Sequence, residues 1–210
     1  MKVQPFGDDA LLVELDDLAQ VRALDDAVRT ARATSRDLAA VVDQVPAARS
    51  LLLRGVGPID HGALAAAVLA LRPVAAAAGD ADGEVVELAV TYDGPDLAEV
   101  AQLTGLSVDE VVARHAAATY TVAFGGFMPG FAYLVGLDPV LRVPRRPSPR
   151  ERVPAGSVAI ADEFSAVYPA ATPGGWRLLG TCATTMWDLD REPPALLVPG
   201  ASVRFVAVGR

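Results

Sequence analysis

Apolar and polar residues follow two different rhythms over the first 80 positions. Residues 11–15 (LLVEL) form a short apolar run that stops at Asp16-Asp17, which predicts a strand. Leu18, Val21, Leu24, Val28 and Ala31 then recur at helical spacing, with Asp and Arg on the opposite face. Residues 41–45, halted by Pro46, and residues 50–55 predict a hairpin. Pro58 opens a second helix that carries Leu64, Val68 and Leu71 on one side and ends before Pro73. With residues 84–91 as a further strand, the order becomes β-α-β-β-α-β, which predicts a ferredoxin-like α+β unit. Residues 73–84 (PVAAAAGDADGE) are small, polar and broken by Pro and Gly, and they read as a linker. The chain therefore divides into one domain over 1–82 and a second over 83–210.

The second domain begins with helices at 96–103 and 107–117. Ser107 and Glu110 have the spacing of a capping box. After Thr119 the texture changes. Short β-rich pieces at 120–124, 157–160, 166–168, 196–198 and 203–208 lie between Gly and Pro turns, as in a small antiparallel barrel or sandwich.

Composition narrows the function. The net charge of -8 does not suit a protein whose main task is to hold a phosphate backbone, so no nucleic-acid partner is expected. Cys182 is the only cysteine, which excludes an internal disulfide and fits a reducing compartment. The N-terminus lacks the apolar stretch of a secretion signal, and the longest apolar runs are far short of a membrane span. A cytoplasmic location without membrane contact is the expectation. With two histidines, His61 and His115, and one cysteine, no His/Cys metal site is expected. No G-x-x-x-x-G-K-[ST] loop or G-x-S-x-G elbow occurs, so nucleotide binding in the P-loop manner is not expected from this chain alone.

Three clusters carry candidate chemistry. The first, 124–133, sets Phe124, Phe127, Phe131 and Tyr133 among glycines, with Met128, Pro129 and Gly130 in the turn. Aromatics supply flat apolar walls and Gly permits close backbone approach, so a pocket and a packed barrel end both fit. The second threads Arg142, Arg145, Arg146, Arg150 and Arg152 through Pro144, Pro147 and Pro149. Guanidinium forks suit carboxylates or phosphates, and equally suit a salt-bridge seam with the acidic remainder. The third runs from Ser157 through Tyr168 to Thr172, Gly174, Gly175 and Trp176, where the aromatics read as core residues and the hydroxyls as turn residues. His115, near a helix C-terminus, is placed either to favour that terminus or to serve as an acid or base beside the aromatic cluster. His61, at a helix start, reads as exposed and idle.

Taken in order, YDGPDLAEVAQLTGLSVDEVVARHAAATYTVAFGGFMPGFAYLVGLDP, VPRRPSPRERVPAGSVAIA, YPAATPGGWRLLG and REPPALLVPGASVRFVAV closely resemble the KipI / 5-oxoprolinase B-subunit family. That family is also called allophanate hydrolase subunit 1, with a carboxyltransferase domain of the subdomain C and D type. The resemblance implies a ferredoxin-like N-terminal domain followed by a cyclophilin-like β-barrel. It further implies one component of an ATP-dependent 5-oxoprolinase that opens 5-oxo-L-proline to L-glutamate together with a KipA-like C subunit and an A subunit. ATP would then be bound with or by a partner. A KipI-like inhibitor of a histidine kinase is one alternative. A biotin-using carboxyltransferase or allophanate hydrolase-type component acting on a urea-like amide is another.

Arg152 and Tyr168, carried over by position, and His115, from its place beside the aromatic cluster, are the candidate catalytic residues. The candidate substrate- or partner-binding residues are Phe127, Met128, Pro129, Gly130, Phe131, Tyr133, Arg145, Arg146, Arg150, Ser157, Thr172, Gly174, Gly175 and Trp176. The substrate would be a small carboxylate-bearing lactam or amide. The sequence departs from the family pattern at Phe164-Ser165-Ala166 and Thr181-Cys182-Ala183.

Overall fold

The structure, a computed structural model, describes residues 1–73 and 85–209. The linker reading at 74–84 and the boundary at 82/83 lie outside the described residues. The chain is α+β and forms two compact units, Met1–Asp80 and Ala81–Arg210.

In the first unit, β1 (Lys2–Phe6), β2 (Ala10–Glu14), β3 (Val41–Pro46) and β4 (Ser50–Gly55) form an antiparallel sheet in the order β1-β2-β4-β3. Helix α1 (Leu18–Ala31) starts where Asp17 accepts the Gln20 amide, and α2 (His61–Ala70) where Asp60 accepts the Ala63 amide. Leu11, Val13, Leu51 and Leu53 from the sheet meet Val21, Leu24, Val28, Leu64 and Val68 from the helices. Each such fully buried Leu or Val contributes about 1.5–3 kcal/mol. Two sequence expectations change here. Strand β1 was not foreseen, because Pro5 and its polar neighbours hide it. The strand expected at 84–91 does not join this sheet. His61 is half-buried, and its Nε2 lies 3.2 Å from the Ala10 carbonyl oxygen, so it is not an idle surface residue.

The second unit holds α3 (Leu97–Thr104), α4 (Val108–Ala117) and a closed seven-stranded barrel. Its strands are β5 (Val86–Thr91), β6 (Thr119–Gly125), β7 (Ala132–Val135), β9 (Ser157–Ala161), β10 (Phe164–Val167), β12 (Arg177–Thr181) and β13 (Ser202–Gly209), in the order β10-β7-β6-β13-β5-β12-β9. Strands β8 (Arg150–Val153) and β11 (Thr172–Gly174) pair separately. Strand β5 pairs in parallel with β13 and so is consumed by the barrel, which is why it cannot complete the N-terminal sheet. Ser107 and Glu110 make the capping box that their spacing predicted. Residues 196–198, expected as a strand, lie outside the barrel; the run is cut off by Pro199-Gly200.

Alternation along the strands builds two apolar clusters. Leu88, Val90, Tyr120, Val122, Leu134, Val158, Ile160, Val167, Leu179, Val203 and Phe205 come from all seven strands and fill the barrel. The intervening residues Ala159, Ala161, Ala166 and Leu178 face outward, where Phe131, Val153, Tyr168 and Trp176 cover them. Among the described residues no helix is long and apolar enough to cross a membrane.

Candidate functional site on the aromatic face of the barrel

The aromatic residues of the 124–133 segment gather on the outer face. Phe131 touches Phe127, Tyr133, Tyr168 and Trp176 edge-on, with ring centroids 5.1–5.6 Å apart. Phe124 stacks on Tyr133 at 4.4 Å, and Phe164 meets both edge-on. Most of this cluster is buried, so it is core in part. Phe127 is the exception. It is 60% exposed, and its φ of +67° is a left-handed conformation that bulky side chains rarely adopt. Local bonds hold it there: Met128 N–H donates to the Gly126 carbonyl, Phe131 N–H to that of Met128, and Gly126 N–H to that of Phe131. At Gly130 (φ +80°) a Cβ would lie 2.8 Å from Trp187 Cβ, so the turn rests on Trp187. Trp187 and Leu189 are further exposed apolar residues. Sequence reasoning missed these two, and also Phe164.

The arginines divide by role. Asp96, 2% exposed, accepts four hydrogen bonds: from Arg146 (3.0 Å), twice from Arg150 (2.9 and 2.7 Å) and from the Leu178 amide (2.7 Å). Burial alone would raise its pKa. The Arg150 hydrogen bond, the Leu178 amide and the Arg150 and Arg146 charges outweigh that, so the carboxyl sits below its usual value. Glu99, one turn along α3, pairs with the buried Arg177 and lies 3.5 Å from Arg146. Arg146, Arg150 and Arg177 are thus committed to a salt-bridge latch that ties α3 to the 144–152 arm and to β12. This corrects the expectation that Arg146 and Arg150 bind a ligand. Sequence reasoning missed Asp96, Glu99 and Arg177, whose partners lie far away in the chain.

Arg145 is free of the latch. It is exposed, its guanidinium lies 5.9 Å from the Trp176 ring centroid, and its ion-pair partner Asp162 is 3.9 Å away. Arg152 is exposed and immediately precedes Val153, whose side chain enters the aromatic cluster. Strand alternation therefore directs Arg152 to the other side, away from Tyr168. A cleft of about 440 Å³ near Arg145 is lined by Arg142, Val143, Pro144, Asp162 and Glu163.

The remaining candidates are largely enclosed. His115 is fully buried, with Nδ1 2.8 Å from the Tyr92 hydroxyl, Nε2 2.9 Å from Ser165 Oγ and its ring stacked on Phe205. Ser165 donates to the Ala159 carbonyl, so the Nε2–H donates to Ser165 and Nδ1 accepts from Tyr92. Burial lowers its pKa to about 3 and holds it neutral. This corrects its assignment as an acid or base: both nitrogens are occupied, and no route to solvent is left. Tyr168 is buried, and burial raises its pKa, against the Trp176 amide and the nearby Arg145 and Arg150 charges. Its hydroxyl lies beneath Gly174, where a Cβ would come within 2.6 Å. Ser157 is a turn hydroxyl that donates to the Pro154 carbonyl at 2.8 Å. Thr172 and Gly175 are half-buried, and Pro129 is exposed. The structure therefore brings together Phe127, Phe131, Tyr133, Tyr168, Trp176 and Arg145, and leaves His115, Arg146, Arg150, Arg152 and Ser157 outside that group.

Comparison with known proteins agrees with this architecture. Residues 1–197 match the family described as carboxyltransferase domain, subdomain C and D, and the chain belongs to that family. It is 49% identical over 128 residues to the 5-oxoprolinase B subunit of Escherichia coli O157:H7, covering 60% of this chain and 59% of that protein. It is 43% identical over 127 residues to the 5-oxoprolinase B subunit of Bacillus subtilis, covering 59% of this chain and 53% of that one. The matched stretch thus spans between half and three-fifths of these curated relatives. Among solved structures, the uncharacterized protein PH0987 of Pyrococcus horikoshii aligns over 100% of this chain and 98% of its own, with a TM-score of 0.59 and 32% identity. The protein TTHA0988 aligns over 99% of this chain but only 40% of its own, with a TM-score of 0.76 and 37% identity. Kluyveromyces lactis urea carboxylase, 20% identical with a TM-score of 0.71, shares the fold over 98% of this chain and 21% of its own.

Proposed function

We propose that this chain is the B-type subunit of an ATP-dependent 5-oxoprolinase complex that opens 5-oxo-L-proline to L-glutamate in the cytoplasm. The match to curated relatives named as the B subunit of 5-oxoprolinase supports the reaction. The observation that carries the division of labour is Phe127. A large ring held at φ +67° and 60% exposed, packed by one edge against Phe131, fits a surface that another chain completes. In this reading the units are the ferredoxin-like and cyclophilin-like domains, and the partners are the C and A subunits of the enzyme.

The residues of this face do not fit a nucleoside triphosphate. The amides of Gly126, Met128 and Phe131, which a phosphate cradle would need, already bond to carbonyls within their own turn. ATP is therefore assigned to a partner, and this chain supplies an apolar wall at Phe127 and a cation at Arg145. A lactam is a resonance-stabilised, poor electrophile.

Co-elution with a KipA-like C-type chain tests the docking. A one-to-one complex is expected, and Phe127→Ala should weaken it by about tenfold or more. An undiminished complex with that variant would overturn the docking role. The family description favours a second reading, a carboxyltransferase component. Only that reading requires biotin, so loss of activity on adding avidin separates the two.

A further inference from the structure

We propose that Arg145 is the specificity-determining residue of this site and receives the carboxylate of the lactam substrate, a step that rests on the oxoprolinase reading. The neighbouring cations are occupied elsewhere. Arg146 and Arg150 are bound to Asp96, and Arg177 to Glu99. Arg152 is directed away from the aromatic cluster, and Arg142 lines the neighbouring cleft with Val143, Pro144, Asp162 and Glu163. Of these arginines, Arg145 alone stands at the aromatic face.

Its surroundings fit a planar carboxylate. The guanidinium lies over Trp176, 5.9 Å from the ring centroid, and its side chain is 61% exposed. Among the described residues its acidic partner is Asp162, at 3.9 Å, and both groups are more than half exposed. That contact is too long for a good hydrogen bond and is easily exchanged for a two-point pairing with a ligand. From Trp176 the aromatic contacts run through the buried Phe131, at 5.6 Å, to Phe127, the exposed ring of the group, at a further 5.3 Å. A small ring that rests on the apolar side of this group while its carboxylate meets Arg145 uses both its apolar and its charged part. A neutral lactam uses only the apolar part.

The test compares 5-oxo-L-proline with 2-pyrrolidinone, the same lactam ring without the carboxylate, on the assembled complex. Wild type and Arg145→Met are each measured; methionine keeps the apolar stem against Trp176. Binding is read by tryptophan fluorescence, and turnover by release of the ring-opened amino acid, glutamate from 5-oxo-L-proline and 4-aminobutanoate from 2-pyrrolidinone. Wild type should favour 5-oxo-L-proline by about 10- to 100-fold, the range of a charge-assisted contact. Arg145→Met should raise the KM for 5-oxo-L-proline by that factor and leave 2-pyrrolidinone binding unchanged, while Arg145→Lys recovers part of the preference. Equal losses for both ligands, or an unchanged preference, overturn the inference. A complex that binds 5-oxo-L-proline through Arg145 but does not open it would overturn the oxoprolinase reading and leave the carboxylate assignment standing. If wild type shows no preference for the carboxylate, the assignment fails outright.

Discussion

The Asp96 latch gives the sharpest prediction about stability. In Asp96→Asn the side chain keeps its shape but loses its charge, and its NH2 group faces a guanidinium. The structure fixes what is lost: a two-point pairing with Arg150, a bond from Arg146 and the acceptor for the Leu178 amide. Breaking a buried pair from one side costs about 3–5 kcal/mol. Arg150 and Arg146 are 23% and 30% exposed and so can recover some water, which places the loss near the lower end, at about 3 kcal/mol. For a unit of this size that is a fall in Tm of roughly 10 °C. The pKa of Asp96 is depressed in the fold, so its contribution is present above the usual value of 3.8 and is lost as the pH falls through the folded value. Thermal unfolding followed by near-UV circular dichroism at pH 7 and at pH 3 measures both effects. Wild type and variant should differ by about 10 °C at pH 7, and the difference should shrink as the pH falls below 3.8. A difference under about 2 °C at pH 7 would show that the attraction barely exceeds the cost of burying the charges, and the latch would lose its structural role.

Two further substitutions probe other parts. His115→Leu orphans the Tyr92 and Ser165 hydroxyls and should cost about 2–4 kcal/mol, with turnover per folded molecule unchanged; a loss of 100-fold or more would return His115 to the chemistry. Because its folded pKa is about 3 against the usual 6.5, wild type should lose stability as the pH falls from about 6.5 toward 3, and a denaturant titration series should find that loss missing in the variant. Phe127→Gly relieves a left-handed strain of about 1–2 kcal/mol, so the fold should be no less stable while partner affinity drops; calorimetric unfolding that shows clear destabilisation would mean that Phe127 is a packing residue.

Local signals were legible and long-range ones were not. Helix α1 and the capping box on α4 could be read because every participating residue lies within a turn or two. Strands β8, β11 and β12 were hidden by Arg, Pro and Gly, residues that ordinarily mark loops. The burial of His115 depends on Tyr92 and Ser165, 23 and 50 positions away, and no local pattern around Arg114-His115 reveals it. Asp96 reads as an ordinary helix-start residue in DGPDLAEV. Its partners lie 50, 54 and 82 positions away, so only the folded chain distinguishes Arg146 and Arg150 from Arg145. The aromatic cluster was legible as a cluster, but its division into a buried part and one exposed ring at Phe127 was not.

The central claim is tested most directly by glutamate release from 5-oxo-L-proline. It would be measured with ATP for this chain combined with its A and C partner subunits, and for the partners without this chain. ATP-dependent glutamate formation is expected from the full set, with loss of at least about tenfold when this chain is omitted or carries Phe127→Ala. Equal glutamate formation with and without the chain, or none from the full set under conditions where a proven oxoprolinase works, would contradict it.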